Sequence, residues 1–444
     1  MQDYNKKKIA VIGLGGVGGY IAALLGNAYS DVTFVARGPR KKEIEENGLV
    51  LHSDYKGEFR TVPAHVTTVE DLEPQDYIFV CVKNYSLKDV CLAMKHAVKE
   101  DTVIIPVMNG VDPGDNIRKY VGKGTVVDSL IYIVAFSNPD YSITQQGNFA
   151  SLRIGITNAT KAEQQKVREV SEILSGEGAQ IDHKVSDKIE GEIWKKYILN
   201  CAFNVETAVY NQTIGELRTD AEKSKEYEAL IQEAWMVAKK KNIAITQDDI
   251  DAIIHRFYHE YADNATSSLQ RDVASGKISE CETFSGYIVR EGRKAGLSLP
   301  ISEKMYLELK KKKADVYHHM GYNCAQAVLC TFCEELDLDE NVAFRISEGF
   351  GLGMGIMEMC GALSGMAMAI GMKNSVGDLS KGTVTKGDTY RKIKENILAF
   401  QEKNGSYLCR ELKGVETGKV LLSCPMCISE AIELTNQYLK QFVK

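Results

Sequence analysis

The stretch Ile9-Ala-Val-Ile-Gly13-Leu14-Gly15-Gly16-Val17-Gly18-Gly-Tyr20 decides how the first third of the chain is read. Four apolar residues run into G-x-G-x-x-G, which predicts a buried strand, a tight turn and the start of a helix. Each glycine has a mechanical reason: Gly13 for the turn, Gly15 for close approach of backbone to a pyrophosphate, and Gly18 for close helix–strand packing. The helix N-terminus adds unpaired N–H groups and the positive end of a dipole. Alone the pattern is weak. Directly behind a strand and ahead of a second one, it predicts a dinucleotide site formed by residues 13–18.

Outward from this loop, residues 8 to about 155 alternate short apolar runs with helical stretches, the pattern of a parallel sheet covered on both faces. Candidate strands are 8–12, 32–36, 77–82, 102–106, 125–127 and 152–156. The second strand ends in Ala36-Arg37-Gly-Pro-Arg40-Lys41-Lys42, where a chain selecting NADH would carry a carboxylate for the ribose hydroxyl. Arginine there favours a 2′-phosphate, so NADPH is the expected cofactor. The alternative is an exposed loop that happens to be basic.

At 444 residues the chain is too long for one ordinary core, and two to four domains are expected. With 54 Lys and Arg against 60 Asp and Glu, no cationic excess is available to neutralise phosphates, so a nucleic-acid partner is not expected. The densest basic run, Lys310 to Lys313, reads as a solvated linker face. The hydrophilic Met1–Lys8 does not read as a secretory signal, and no apolar run approaches the roughly 18 residues of a membrane span. A cytoplasmic location with reduced thiols is therefore expected. Seven of the 11 cysteines fall from residue 324 onward, a shift that places a domain boundary near the lysine run.

From about 160 to 310 the pattern becomes one of amphipathic helices, as over 171–179 and 223–240. The most informative segment is Trp194-Lys195-Lys196-Tyr-Ile-Leu-Asn200-Cys-Ala-Phe-Asn204-Val. Lys196, Asn200 and Asn204 stand at i, i+4 and i+8, on one face of one helix among mostly apolar neighbours. An ammonium and two amides on a largely buried helix need partners, and a polar substrate is one such partner. Reduction of a 2-oxo acid places negative charge on the carbonyl oxygen, and a partly desolvated lysine is suited to protonate it. A structural hydrogen-bond ladder between helices is the alternative.

Over residues 8 to 310 these motifs, in this order, resemble the ketopantoate reductase family: the glycine loop, Val35-Ala-Arg37-Gly, Val82-Lys83, Asn109-Gly110, and Trp194-x-Lys196-x-x-x-Asn200-x-x-x-Asn204. Ser268 before Asp272, and Glu280 beyond it, complete the set. The resemblance implies an α/β Rossmann-type domain (1–180) and an all-α domain like that of 6-phosphogluconate dehydrogenase (181–312). It also implies reduction of 2-dehydropantoate to pantoate, a step of pantothenate and coenzyme A biosynthesis, with hydride passing to C2 and Lys196 as general acid. Glu280 would hold Lys196 and the substrate hydroxyl; Asn109, Asn200, Asn204 and Ser268 would bind substrate. Lys83 and Asn109, each just past a strand end, would line the nicotinamide side of the NADPH site, with Gly13, Leu14, Gly15, Gly16, Val17, Gly18 and Arg37 holding the rest. A homodimer is compatible with this reading.

Duller explanations stand beside these roles. Ser279-Glu280-Cys-Glu282 reads as a capping box, leaving Glu280 to serve only the helix dipole. Asn109-Gly110 is an ordinary turn dipeptide, Lys83 could lie on a solvated loop, and Ser268 could be a helix-surface residue. Val82-Lys83-Asn-Tyr-Ser and Gly110-Val-Asp-Pro-Gly depart from the family pattern, which puts the choice of 2-oxo acid in doubt more than the reaction. Reduction of another 2-oxo acid, and non-catalytic sensing of NADP(H), are the alternatives.

The tail, residues 313–444, contains Gly321-Tyr-Asn-Cys324-Ala-Gln-Ala-Val, Met359-Cys360-Gly-Ala-Leu-Ser-Gly365, Cys409 and Cys424-Pro-Met-Cys427. It resembles the C-GCAxxG-C-C family of redox-active proteins and is expected to be mainly helical. Cys324 sits where a helix should begin, which would lower its thiol pKa. Cys424 and Cys427 form a C-x-x-C that reads as a dithiol pair or half of a metal site. Cys324, Cys360, Cys409, Cys424 and Cys427 are spaced compatibly with zinc or an iron–sulfur cluster, without choosing one; inert buried thiols are the alternative. Cys330 and Cys333 should pack in a helix core.

Overall fold

The computed structural model describes residues 4–442, so part of the hydrophilic Met1–Lys8 segment lies outside the described residues; Tyr4–Lys6 form a single 3-10 turn. The chain divides into two compact units. One runs to Tyr197 and includes Ile243–Ile245; the other comprises Ile198–Asn242 and everything from Thr246 onward.

Among the described residues the first unit holds eleven strands: β1 (Ile9–Ile12), β2 (Val32–Val35), β3 (Leu49–Ser53), β4 (Gly57–Thr61), β5 (His65–Thr67), β6 (Gln75–Val80), β7 (Val98–Pro106), β8 (Thr125–Val126), β9 (Asp128–Ser137), β10 (Ile143–Gly155) and β11 (His183–Val185). Six of them form a parallel sheet in the order β5-β2-β1-β6-β7-β8. Numbered by their sequence within that sheet the order is 3-2-1-4-5-6, the doubly wound arrangement of dinucleotide-binding domains. The central strands β1 and β2 are buried at every residue, because helices cover both faces and alternation is lost.

The run at 152–156 does not join this sheet. It belongs to β10 in a second, mixed sheet ordered β11-β10-β3-β4, with β9 antiparallel to β10. The long hairpin formed by β9 and β10 lies against the first helix, Gly16–Ala28, and shares its core through Ile131, Ile143 and Leu152.

The second unit is helical. Helix Ile189–Tyr210 carries the chain from one unit into the next, and helices Ala221–Lys240, Gln247–His259, Ser268–Ala274, Tyr287–Lys294 and Pro300–His319 follow. The tail packs on the last of these: Ala314 and Tyr317 share a core with Cys330, Phe332, Leu363 and Ile432. The lysine run is not a solvated linker. Lys310 is fully buried, donating to Glu335 at 2.7 Å and Asn436 at 3.1 Å, and Lys313 meets Glu282 at 3.2 Å. A buried ammonium survives only when paired, and these partners come from the tail (Glu335, Asn436) and from the segment at Glu282. The run is therefore an ionic seam.

Glu206, near the C-terminal end of helix Ile189–Tyr210, is completely buried, and neither carboxyl oxygen has a hydrogen-bond partner among the described residues. Burial first, then the negative field of Glu226, raises its pKa from 4.5 to about 9, so the group is neutral at pH 7. Its folded pKa lies above its unfolded one. Stability is thus fullest below pH 4.5 and declines as pH rises toward 9, by about 3 kcal/mol at pH 7. Glu206→Gln is expected to remove this slope, so that thermal melts from pH 5 to 9 show the variant gaining stability over the parent as pH increases. Parallel pH profiles for the two proteins would contradict a neutral Glu206.

Candidate active site

The glycine loop has the geometry its spacing predicts. Gly13 adopts φ +91°, and a Cβ there would stand 2.7 Å from Val82. A Cβ on Gly18 would lie 1.8 Å from the Gly13 carbonyl oxygen, and one on Gly16 would lie 2.3 Å from the carbonyl oxygen of Ala135 in β9. Gly15 is different: a Cβ there would meet no protein atom within 4 Å. It caps helix Gly16–Ala28 without a side-chain hydrogen bond, so the first-turn N–H groups lie beside an accessible backbone. Leu14 is buried and Val17 is half-buried against the core. The cradle fits a dinucleotide pyrophosphate.

Arg37 is exposed and stands just before helix Gly38–Asn47. Arg40, not among the expected site residues, donates through its guanidinium to the Leu14 carbonyl and, at 2.8 Å, to Ser137 Oγ, and lies 5.0 Å from the Tyr141 ring centre. Burial lowers its pKa from the usual arginine value. Its position in the same basic segment, three residues after Arg37, was the available signal.

The next elements come from the C-terminal ends of adjacent parallel strands. Lys83, half-buried, precedes the turn Asn84–Ser86 beyond β6, and Asn109 lies beyond β7 in a turn that Gly110 completes at φ +102°. Asn84 Nδ2 donates to the Asn109 carbonyl at 2.6 Å, tying the two strand ends together. Asn84 is one of the residues by which this chain departs from the family pattern, so its role was not legible from the motif. Lys196 Nζ donates to the Ile131 carbonyl at 2.7 Å and to Asn109 Oδ1 at 3.3 Å, and lies 5.7 Å from the Tyr132 ring centre. The structure thus brings Lys196 and Asn109 together beside β9.

Lys196, Asn200 and Asn204 all lie within helix Ile189–Tyr210, at one-turn spacing on one face. Asn204 is 6% exposed and Asn200 is half-buried. Ser268 Oγ donates to Asn204 Oδ1 at 3.3 Å, while neighbouring Ser267 caps helix Ser268–Ala274 and meets Thr207 Oγ1 at 2.8 Å. Glu280 is 4% exposed, and its carbonyl accepts the N–H groups of Thr283 and Phe284. The capping box expected at Ser279 and Glu282 does not form. Glu282 instead accepts from Arg290 and Tyr306 at 2.6 Å each and from Lys313 at 3.2 Å. Burial alone would raise its pKa; Lys313 and Arg290 hold it at about 2.

In the tail, Cys324, Cys360, Cys409, Cys424 and Cys427 all line one cavity of about 190 Å³. All 11 cysteines are free. Among the described residues no group of three or more His, Cys, Asp or Glu side chains is arranged to hold a metal ion, so the zinc or iron–sulfur alternative gains no support. Both cysteines of the C-x-x-C line this cavity, and the strongest influence on each comes from outside the motif, Cys324 acting on Cys424 and Cys360 on Cys427. Cys324 does open helix Cys324–Thr331, but its thiol is pushed up, chiefly by its hydrogen bond to Cys424; the lowered thiols are Cys424 and the buried Cys360, which accepts from Cys427 and from the N–H groups of Ala362 and Leu363. Cys330 and Cys333 are buried in the tail core.

Fold and loop define a Rossmann-type oxidoreductase with an appended helical region. Residues 9–159 match the family model "Ketopantoate reductase PanE/ApbA" and 188–313 match "Ketopantoate reductase PanE/ApbA C terminal", so the chain belongs to the ketopantoate reductase family. Residues 322–438 match the model described as "Putative redox-active protein (C_GCAxxG_C_C)". An uncharacterized oxidoreductase, YkpB of Bacillus subtilis, is 27% identical over 69% of this chain and 99% of its own length. The 2-dehydropantoate 2-reductase of Pyrococcus abyssi is 26% identical over 69% of this chain and 98% of its own.

Three solved structures share the fold. The PanE/ApbA family ketopantoate reductase of Ralstonia eutropha superposes with TM-score 0.64 at 24% identity, covering 70% of this chain and all of that one. D-mandelate dehydrogenase bound to NADH and anilino(oxo)acetate gives 0.62 at 20%, over 70% and 99%. The dimeric ketopantoate reductase of Staphylococcus aureus gives 0.58 at 22%, again over 70% and 99%. At these identities the structures establish fold alone. No helix among the described residues is long and apolar enough to cross a membrane.

Gly18→Ala is expected to lower stability by about 1–3 kcal/mol, as overpacking does, and to weaken NADPH binding. Thermal melts and fluorescence titration check both, and a variant matching the parent in each would contradict the close contact with Gly13.

Proposed function

We propose that the chain is an NADPH-dependent 2-dehydropantoate 2-reductase, with residues 1–180 binding cofactor and 181–312 binding substrate. The observation that carries the reading is Lys196, whose ammonium is fixed by the Ile131 carbonyl and Asn109 Oδ1. Ile131 and Ala135 lie four residues apart on β9, and Ala135 abuts Gly16 of the glycine loop. At about 3.3 Å per residue, β9 spaces Lys196 from the phosphate cradle by roughly 13 Å. That span suits an extended dinucleotide with its reactive ring near the lysine.

Gly13, Gly15 and Gly18 with the first turn of helix Gly16–Ala28 would hold the pyrophosphate, and Arg37 and Arg40 the 2′-phosphate. Bound there, NADPH supplies the hydride. Lys196 presents a proton toward the C2 oxygen, where negative charge develops, while the Ile131 and Asn109 oxygens hold its ammonium in place. Asn200 and Asn204, on the same helix face, would bind the polar substrate, with Ser268 holding the Asn204 amide. Glu280 would orient the substrate hydroxyl. A homodimer, the state described for the Staphylococcus aureus protein, and a cytoplasmic location, in keeping with the free thiols, belong to the same proposal. Thiol chemistry is proposed for residues 313–444.

Reduction of another 2-oxo acid is the second reading. It is favoured by Asn84, which stands where the family pattern has other residues and bonds Asn109. Steady-state assays with NADPH and a panel of 2-oxo acids separate the two, 2-dehydropantoate being expected to show the highest kcat/KM. A higher value for a different 2-oxo acid would support the second reading, and no turnover with any would overturn both. Replacing Arg37 and Arg40 by alanine together is expected to reduce the preference for NADPH over NADH by about tenfold or more, one or two charge-assisted bonds being at stake.

A further inference from the structure

The tail cavity contains more chemistry than the reductase reading uses. Five thiols face a space of about 190 Å³ whose remaining lining includes Leu352, Leu412, Leu422, His318 and Lys413. The thiols are not equivalent. Cys360, Cys409 and Cys427 are buried, whereas Cys324 and Cys424 are partly open. Cys427 and Cys360 are hydrogen-bonded to each other, and the Cys427 thiol also lies 3.9 Å from the Leu422 carbonyl. The two accessible thiols form the other hydrogen-bonded pair.

Within that pair the roles differ. Cys424 is the first residue of helix Cys424–Leu439, where the dipole favours a thiolate, and Ser423 before it makes no side-chain cap. The hydrogen bond from Cys324, then the charges of Lys413 and His318, lower its pKa to about 5 against the effect of burial. Donating that bond raises the Cys324 thiol. At this helix start, beside Lys413, the thiolate form is favoured on Cys424 and the protonated form on Cys324, the division of labour that thiol–disulfide exchange requires.

We propose that Cys424 is an attacking thiol and Cys324 its resolving partner, in a cavity that reduces small organic disulfides with apolar substituents. This rests on the reading of the tail as thiol-active. The Cys424 thiolate attacks one sulfur of RS–SR; the substrate S–S bond breaks and RS⁻ leaves, protonated by solvent. The Cys324 thiol then gives its proton to the second RS⁻ as its sulfur attacks Cys424. The mixed disulfide breaks, and the Cys324–Cys424 disulfide forms. Overall the dithiol is oxidised by two electrons and RSSR is reduced to two RSH. Leu352, Leu412 and Leu422 favour apolar R groups, and His318 and Lys413 stabilise the thiolate.

The test uses the full-length reduced protein and diethyl disulfide, with free thiols trapped by N-ethylmaleimide and peptides mapped by mass spectrometry. The expected product is a Cys324–Cys424 cross-link. Cys324→Ser should instead accumulate the mixed disulfide on Cys424, and Cys424→Ser should form neither. Should a variant fail to fold, iodoacetamide labelling of the parent across pH serves: Cys424 should react with a midpoint well below that of an ordinary thiol. A cross-link between Cys360 and Cys427, or Cys424 and Cys427, would overturn the assignment while leaving the tail thiol-active. No disulfide at any pair, or stoichiometric zinc or iron protecting these cysteines in protein prepared without oxygen, would overturn the disulfide reaction as well.

Discussion

An ammonium group placed within a fold must be met by acceptors, and the way Lys196 is met organises the reductase half of this protein. Its nitrogen is held by the carbonyl of Ile131 and the side chain of Asn109. Those contacts join the start of helix Ile189–Tyr210 to β9 and to the end of β7. Because β9 also presses on Gly16, one strand fixes both the lysine and the phosphate cradle.

The inner strands β1, β2 and β6 of the central sheet were legible because they read as nearly continuous buried apolar runs ended by glycine or a polar turn, whereas the short edge strand β5, exposed to half-buried, carried no such signal. The glycine loop was legible for the same local reason: a steric requirement 1.8 Å tight leaves glycine at position 18 no substitute. The second sheet was not legible. Strands β9 and β10 pair through a hairpin with a register irregularity between Gln146 and Ser151, and their outward residues include exposed Val134 and Phe149. Periodicity alone does not say which sheet such a strand joins. The stripe of Lys196, Asn200 and Asn204 was visible from spacing, whereas the acceptors that hold the lysine come from 65 and 87 residues away.

Long-range pairing also explains the misread charges and thiols. Lys310 looked solvated because Glu335 and Asn436, which neutralise and cap it, lie 25 and 126 residues further on. Cys424 and Cys427 looked like a pair because they are close in sequence, yet each faces a cysteine from another helix start. Glu206 was hidden by its own helix, since a carboxylate in an apolar stretch carries no mark that its partners are missing. In each case the deciding environment comes from residues distant in sequence, which only the fold brings together.

The central claim is that Lys196 supplies the proton from a fixed position and does not merely brace a helix. Kinetics of Lys196→Ala with NADPH and 2-dehydropantoate, alongside fluorescence titration of NADPH, test it most directly. The account predicts a fall in kcat of about 10²–10⁴-fold, the range for loss of a general acid, with NADPH affinity nearly unchanged. A variant that keeps the parent kcat would contradict it.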